Sequence, residues 1–209
     1  MQETKERSQW LQLLFYIQLV NIGLSCISRL STVLPVLGLA VRIHRIQPLL
    51  DLSVVFCLFL LPWYYRLSAI CKAVWLLVSL YPRWLPKLLQ SLEKGNYASV
   101  AVPLGYLVLV LSVAALFLEC RSHGRAVPSL KGKWMLLFGL SAGISLLSQL
   151  TLELVGDRFN QMMLEGITWG IQAYNMTTLL LGLGVSVFYL LLLYQTVNMA
   201  TKEEGNYGN

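Results

Sequence analysis

The sequence predicts an all-α protein, a polytopic bundle of transmembrane helices with little mass outside the membrane. Of its 209 residues 56% are hydrophobic and 12% are charged, whereas a soluble domain carries about 25% charged residues. The hydrophobic residues are gathered into long runs, and an α-helix needs about 20 such residues to cross a bilayer. The same composition excludes disordered, collagen-like and disulfide-rich secreted proteins.

Six segments are predicted to cross the membrane. The predicted spans are residues 10–28, 49–66, 69–86, 97–118, 134–153 and 171–194. The third span is the weakest, because Lys72 interrupts its apolar run and two prolines follow in 82–87. If this segment only lies on the membrane surface, five spans remain. The apolar piece 30–41 is broken by Pro35 and Gly38 and is too short to cross, so it is predicted to be interfacial or re-entrant.

The distribution of basic residues predicts the topology. The segment 119–133 is predicted to be a cytoplasmic loop that faces anionic lipid, since cytoplasmic loops are enriched in lysine and arginine. Its basic residues are Arg121, Arg125, Lys131 and Lys133. With six spans both termini are cytoplasmic, including the polar tail 195–209. The predicted location is a plasma membrane or a bacterial inner membrane, and five spans would put the N-terminus outside.

Catalytic and metal-binding motifs are absent from the sequence, which predicts a protein that is not an enzyme and has no metal or other cofactor. It contains no HExxH, GxSxG or P-loop pattern, and its two histidines, His44 and His123, fall in predicted loops. An intramembrane enzyme stays an alternative only if Asp51, His44 and Glu153 converge at the outer surface. The basic residues are scattered between apolar segments, so nucleic acid is not a predicted partner.

Two patterns of small and polar residues predict contacts between helices. Small residues spaced by four let two helix backbones approach closely, and the predicted packing or partner residues are Gly139, Ser141, Gly143, Ser145, Thr178, Gly182 and Ser186. Polar residues spaced by three or four share a helix face. The residues that would line a polar pathway are Gln18, Asn21, Ser25, Gln149 and Gln172.

These patterns favour a non-catalytic multi-pass membrane protein that acts through helix–helix association. It would be an accessory or scaffold subunit of a membrane complex, or a homo-oligomer, and its partners would be the lipid bilayer and other membrane subunits or a second copy. The alternative is a small-solute transporter or channel that uses the polar stripes of spans one, five and six. The patterns are too general to indicate a family.

Overall fold

Six long helices make up almost all of the computed structural model, which describes residues 2–33, 37–89, 98–164 and 169–207. Helix accounts for 98% of this part of the chain and no strand occurs in it, so the all-α prediction is confirmed there. The helices are α1 (Gln2–Val33), α2 (Leu37–Leu60), α3 (Arg66–Leu89), α4 (Ala98–Ala126), α5 (Lys131–Leu164) and α6 (Trp169–Tyr207).

Four of these helices are long and apolar enough to cross a membrane, which indicates an integral membrane protein. The qualifying segments are Glu6–Ser28, Tyr106–Ala126, Pro128–Thr151 and Gln172–Lys202, and they belong to α1, α4, α5 and α6. In α2 the apolar stretch is shorter, Ile46–Leu60. The second and third predicted spans, which correspond to α2 and α3, are therefore not among the four.

The helices pack as antiparallel neighbours. Each contacts the next one along the chain, and α6 returns to contact α1. Near the start of the chain, Arg7 donates a hydrogen bond to the carbonyl of Ala126 at 2.9 Å. The Ser129 hydroxyl contacts the sulfur of Met199, near the end of α6, at 3.5 Å. The start of α1 and the end of α6 therefore both lie at the end of the bundle where α4 turns into α5.

Most of the buried core lies toward this same end. Its largest fully buried side chains include Trp134, Tyr65 and Leu14. Many leucines on the outside of the bundle are exposed, among them Leu147 and Leu154, as expected where lipid rather than protein covers a helix.

Each helix extends beyond its predicted span at one end or both, and α6 continues to Tyr207 through most of the predicted polar tail 195–209. Two further differences lie at the ends of α4 and α1. Residues 119–126 continue α4 as helix, and Pro128 begins a 3-10 turn that leads directly into α5. The polar segment can stay helical because its buried residues turn inward, as described below. Gly124 allows the tight connection, since a Cβ at this position would lie 3.2 Å from the Cα of Lys131.

The second difference concerns the apolar piece 30–41, whose described residues belong to two helices and form no element of their own. Helix α1 continues to Val33, and α2 begins at Leu37. Residues 34–36 lie outside the described part of the chain. The helix α2 also accommodates Pro48 in its interior, so the apolar run of the second span extends a helix that has already begun.

Candidate functional site

A buried ion pair lies inside the bundle. Glu119 of α4 is 1% exposed, and one of its carboxylate oxygens lies 3.0 Å from the Nζ atom of Lys72 on α3. The Lys72 side chain is 17% exposed, so the lysine connects this pair to the surface. Removing a carboxylate from water is costly unless it is paired and hydrogen-bonded, and the second oxygen of Glu119 is accordingly also bonded.

Hydrogen bonds extend from Glu119 to two further helices. The hydroxyl of Tyr189 on α6 donates to the second carboxylate oxygen of Glu119 at 2.5 Å. The side-chain amide of Gln18 on α1 donates in turn to the Tyr189 hydroxyl at 3.2 Å. A single chain of polar contacts therefore joins α1, α6, α4 and α3.

His123 lies one helical turn after Glu119 and is fully buried. Its Nδ1 atom is 2.9 Å from the hydroxyl of Tyr65, and its ring stacks on Trp134 of α5 with centroids 4.4 Å apart. We call Glu119, Lys72, His123, Tyr65, Tyr189 and Gln18 the Glu119 network.

A second polar group lies farther along α1. Asn21 donates to a carboxylate oxygen of Asp51 on α2 at 2.9 Å, and Gln47 donates to the Asn21 side-chain oxygen at 3.2 Å and to the Ser25 hydroxyl. We call these four residues the Asn21 group. Because Gln18 and Asn21 are three residues apart, about 4.5 Å along the helix axis, the Asn21 group adjoins the Glu119 network.

A crevice between α1 and α6 adjoins the Asn21 group. Its volume is about 140 Å³, and its lining residues are Ile22, Ser25, Cys26, Leu179, Gly182, Leu183 and Ser186. A cavity of about 150 Å³ can hold a molecule the size of benzene. Since Ser25 belongs both to the crevice and to the Asn21 group, polar side chains on one face of α1 lead from the crevice to Gln18, which reaches Glu119 through Tyr189.

Three of the five predicted pathway residues come together in this arrangement. Gln18 and Asn21 are buried, and Ser25 is half-buried beside them on the same face of α1. Gln149 lies half-buried on α5, next to a contact between Ser148 and Tyr174, and it has a partner of its own. Gln172 is exposed near the start of α6.

The predicted small-residue faces have two different environments. On α6, Gly182 and Ser186 line the crevice, and Thr178, one turn before Gly182, is half-buried. On α5, Gly139 and Gly143 are exposed, and an added Cβ at either would meet no atom of the described chain within 4 Å. Ser141 and Ser145 are half-buried.

The predicted basic surface is present at one end of the bundle. The side chains of Arg121, Arg125, Lys131 and Lys133 are all exposed, at the turn between α4 and α5. Asp51, the one residue of the alternative enzyme site whose side chain is described, belongs to the Asn21 group. The side chains of His44 and Glu153 lie outside the described part of the chain.

Sequence reasoning missed five members of the Glu119 network as site residues: Glu119, His123, Tyr65, Tyr189 and Lys72. The fourth predicted span ends at residue 118, which put Glu119 and His123 in a loop, while Tyr65 and Tyr189 resemble interfacial or lipid-facing aromatic residues. Two signals were available. Lys72 interrupts an apolar stretch and needs a partner, and Glu119 and His123 are spaced by four, as on one helix face.

Comparison with known protein families, with curated proteins and with solved structures gives no match for this chain.

Proposed function

We propose that this protein is a membrane transporter for a small polar solute, which enters by the α1–α6 crevice and meets the polar interior of the bundle. The observation that carries this proposal is the burial of Glu119 within a helix apolar enough to cross a membrane. Ionisable groups at membrane depth are costly, and they commonly mark the paths of solutes, ions and protons.

The continuity of polar groups supports transport over a purely structural role. An ion pair that only holds helices together needs no polar route leading to it, and replacing it by apolar residues is often neutral or stabilising. Here Gln18 and Asn21 continue the polar line from Glu119 toward Ser25 at the crevice. Among the described residues that line the crevice, Ser25 and Ser186 supply hydroxyls and none is charged, which favours a small neutral solute with hydroxyl or amide groups.

Osmotic swelling of proteoliposomes tests this function. Vesicles containing the protein are mixed with glycerol, urea or acetamide, and the rate of swelling is followed by light scattering. We expect at least one of these probes to enter the vesicles that contain the protein faster than it enters protein-free vesicles. Entry of all three at the protein-free rate would contradict the proposal.

A matched pair of glycines on α6 gives the control. Gly182→Leu fills the crevice and should abolish the added permeability. Gly184→Leu adds the same side chain two residues away, where an added Cβ meets nothing within 4 Å, and should leave it unchanged. Equal permeability of the two variants would show that the crevice is not the route.

A second candidate function is association with another membrane subunit or a second copy through the α5 face around Gly139 and Gly143. The observation that favours it is the open space over both glycines, because small residues permit close approach of another helix. Such a protein would act as an accessory or scaffold subunit.

The mass of the intact particle in mild detergent tests this second function. We expect a particle larger than the 23.6 kDa chain, which Gly139→Leu with Gly143→Leu reduces to a monomer. Because neither glycine contacts the rest of the described chain, loss of association would not be caused by misfolding. Gly184→Leu is the control, and a monomeric wild-type protein would contradict the idea.

For the topology we infer six spans with both termini in the cytoplasm, in a plasma or bacterial inner membrane. Antiparallel packing of α2 and α3 between α1 and α4 supports this number, and exposed basic residues at the turn between α4 and α5 support the orientation. Tags fused to each terminus should resist protease added outside right-side-out vesicles. Cleavage of only one tag would indicate five spans.

A further inference from the structure

One nitrogen of His123 is buried without a hydrogen-bond partner among the described residues. The Nε2 atom has none and lies 3.9 Å from the Glu119 carboxylate oxygen that accepts from Tyr189. The other ring nitrogen is engaged by Tyr65. An approach of about 1 Å would bring Nε2 and this oxygen to hydrogen-bond distance.

We propose that Glu119, His123 and Lys72 form a proton-binding site, in which His123 passes a proton to Glu119. The claim that this site couples protons to solute movement rests on the proposed transport function. The claim that the site binds a proton is independent of transport, because proton binding can be measured without any solute.

The transfer can be written with its atoms balanced. The Tyr65 hydroxyl passes its proton to Nδ1 of His123 while its oxygen takes a proton from a hydronium ion, so that an imidazolium forms and Tyr65 becomes the acceptor of the Nδ1–H group. The N–H bond at Nε2 then breaks, its electron pair stays on nitrogen, and a lone pair of Glu119 forms the new O–H bond. The neutral imidazole is left as its other tautomer, with the proton on Nδ1.

The groups around Glu119 determine what its protonation does. Lys72 faces it from α3, Tyr189 from α6, and His123 and the buried Cys120 from α4 itself, while Arg7 of α1 acts on Tyr65. The direct partners of Tyr189 and His123 from α1 and α5 are neutral: Gln18 is bonded to Tyr189, and Trp134 stacks on His123.

Protonation therefore acts on both walls of the crevice. A neutral Glu119 no longer balances Lys72, whose partly exposed side chain can turn toward the surface. The Tyr189 hydroxyl loses its charged acceptor, and its bond with Gln18 is free to rearrange. Because Gln18 lies on α1 and Tyr189 on α6, the change reaches the two helices that line the crevice.

Infrared difference spectroscopy of the full-length protein in nanodiscs tests proton binding. On acidification the wild type should gain the carbonyl band of a protonated carboxylic acid in an apolar environment. Glu119→Gln should lose this band, and Glu6→Gln, which changes an exposed carboxylate on α1, should keep it. Identical spectra for the wild type and Glu119→Gln would overturn the proposal.

A double variant tests whether loss of the infrared band is caused by misfolding. Lys72→Gln combined with Glu119→Gln removes both charges, so no buried charge is left unpaired. It should also lose the band. A band that persists in the folded double variant would assign the protonation to another carboxyl group.

Native Cys26 reports whether the proton site is coupled to the crevice. Cys26 lines the crevice, whereas Cys57 and Cys120 are buried, and peptide mapping after alkylation identifies the labelled thiol. At each pH, the rate of Cys26 alkylation in the wild type is divided by the rate in Glu119→Gln. We expect this ratio to change at least about twofold over the pH range in which the infrared band appears. A constant ratio would overturn the coupling, and solute entry in the swelling assay would remain an independent result.

Discussion

The Glu119 network and the Asn21 group are built on the same stretch of α1, yet they differ in how tightly the bundle closes around them. Around Glu119 the side chains of His123 and Trp134 are fully buried, and the ion pair is bonded to Tyr189 of α6, which is bonded in turn to Gln18 of α1. Around Asn21 the carboxylate of Asp51 is half-buried, and a crevice of about 140 Å³ separates α1 from α6.

The difference indicates a division of roles. Loss of a partner at the Glu119 network leaves a charge inside a closed core, so this region dominates stability. The Asn21 group can exchange its bonds with water or a solute at the crevice at lower cost, so this region controls access. Variants that affect the two regions unequally test the division.

The largest expected effect comes from removing the cation of the buried pair. Lys72→Met removes the cation that pairs with Glu119 and should lower the free energy of unfolding by about 3–5 kcal/mol. Glu119→Gln should cost less, because the Lys72 side chain is partly exposed and can turn outward. Chemical unfolding in detergent micelles, followed by tryptophan fluorescence, measures both. Lys131→Met, at an exposed lysine, is the control, and an equal effect of Lys131→Met and Lys72→Met would contradict the account.

The next effect concerns the hydroxyl that joins α6 to α1 and α4. Tyr189→Phe leaves Glu119 and Gln18 without their common partner, so we expect a loss of about 1–3 kcal/mol in the free energy of unfolding. Tyr194 is exposed on the same helix, and Tyr194→Phe should change stability by no more than about 0.5 kcal/mol. Similar values for the two variants would mean that the bonds of Tyr189 contribute little.

The smallest effect is expected at the Asn21 group. Asp51→Asn keeps an oxygen that can accept from Asn21, and the site is half-buried, so the cost should stay below about 1 kcal/mol. Comparison with Glu119→Gln, the same carboxylate-to-amide change in the closed region, sharpens the contrast. An Asp51→Asn variant less stable than Glu119→Gln would reverse the assignment of the two regions.

The sequence predicts the helical class and the polar face of α1, but not the pairing that completes the site. Composition and long apolar runs can be read from each segment alone, without knowledge of tertiary contacts, so they predict the helices reliably. The spacing of Gln18, Asn21 and Ser25 is local to one helix, and their placement on one face follows from it. The partner of Lys72 lies 47 residues away, and only tertiary packing brings Glu119 to it.

The end of α4 illustrates the same limit. A run of polar residues after an apolar span resembles a loop, because hydropathy reports the cost of leaving water for lipid and ignores compensation by other helices. The exposed Arg121 and Arg125 fit that prediction, whereas Glu119 and His123 on the same turns face inward. When the hydropathy of such a helix is averaged along the sequence, the difference between its two faces is lost, and the segment is predicted to be a loop.

The central claim, that the polar face of α1 borders a path open to water, is tested most directly by thiol labelling at one depth of α1. Asn21→Cys places a thiol on the polar face, and Val20→Cys places one on the neighbouring outer face, where Val20 is 51% exposed. In membranes, a charged water-soluble thiol reagent should label Asn21→Cys at least about tenfold faster, because a thiol that faces lipid does not ionise. Equal rates, or no labelling at either position, would contradict the account.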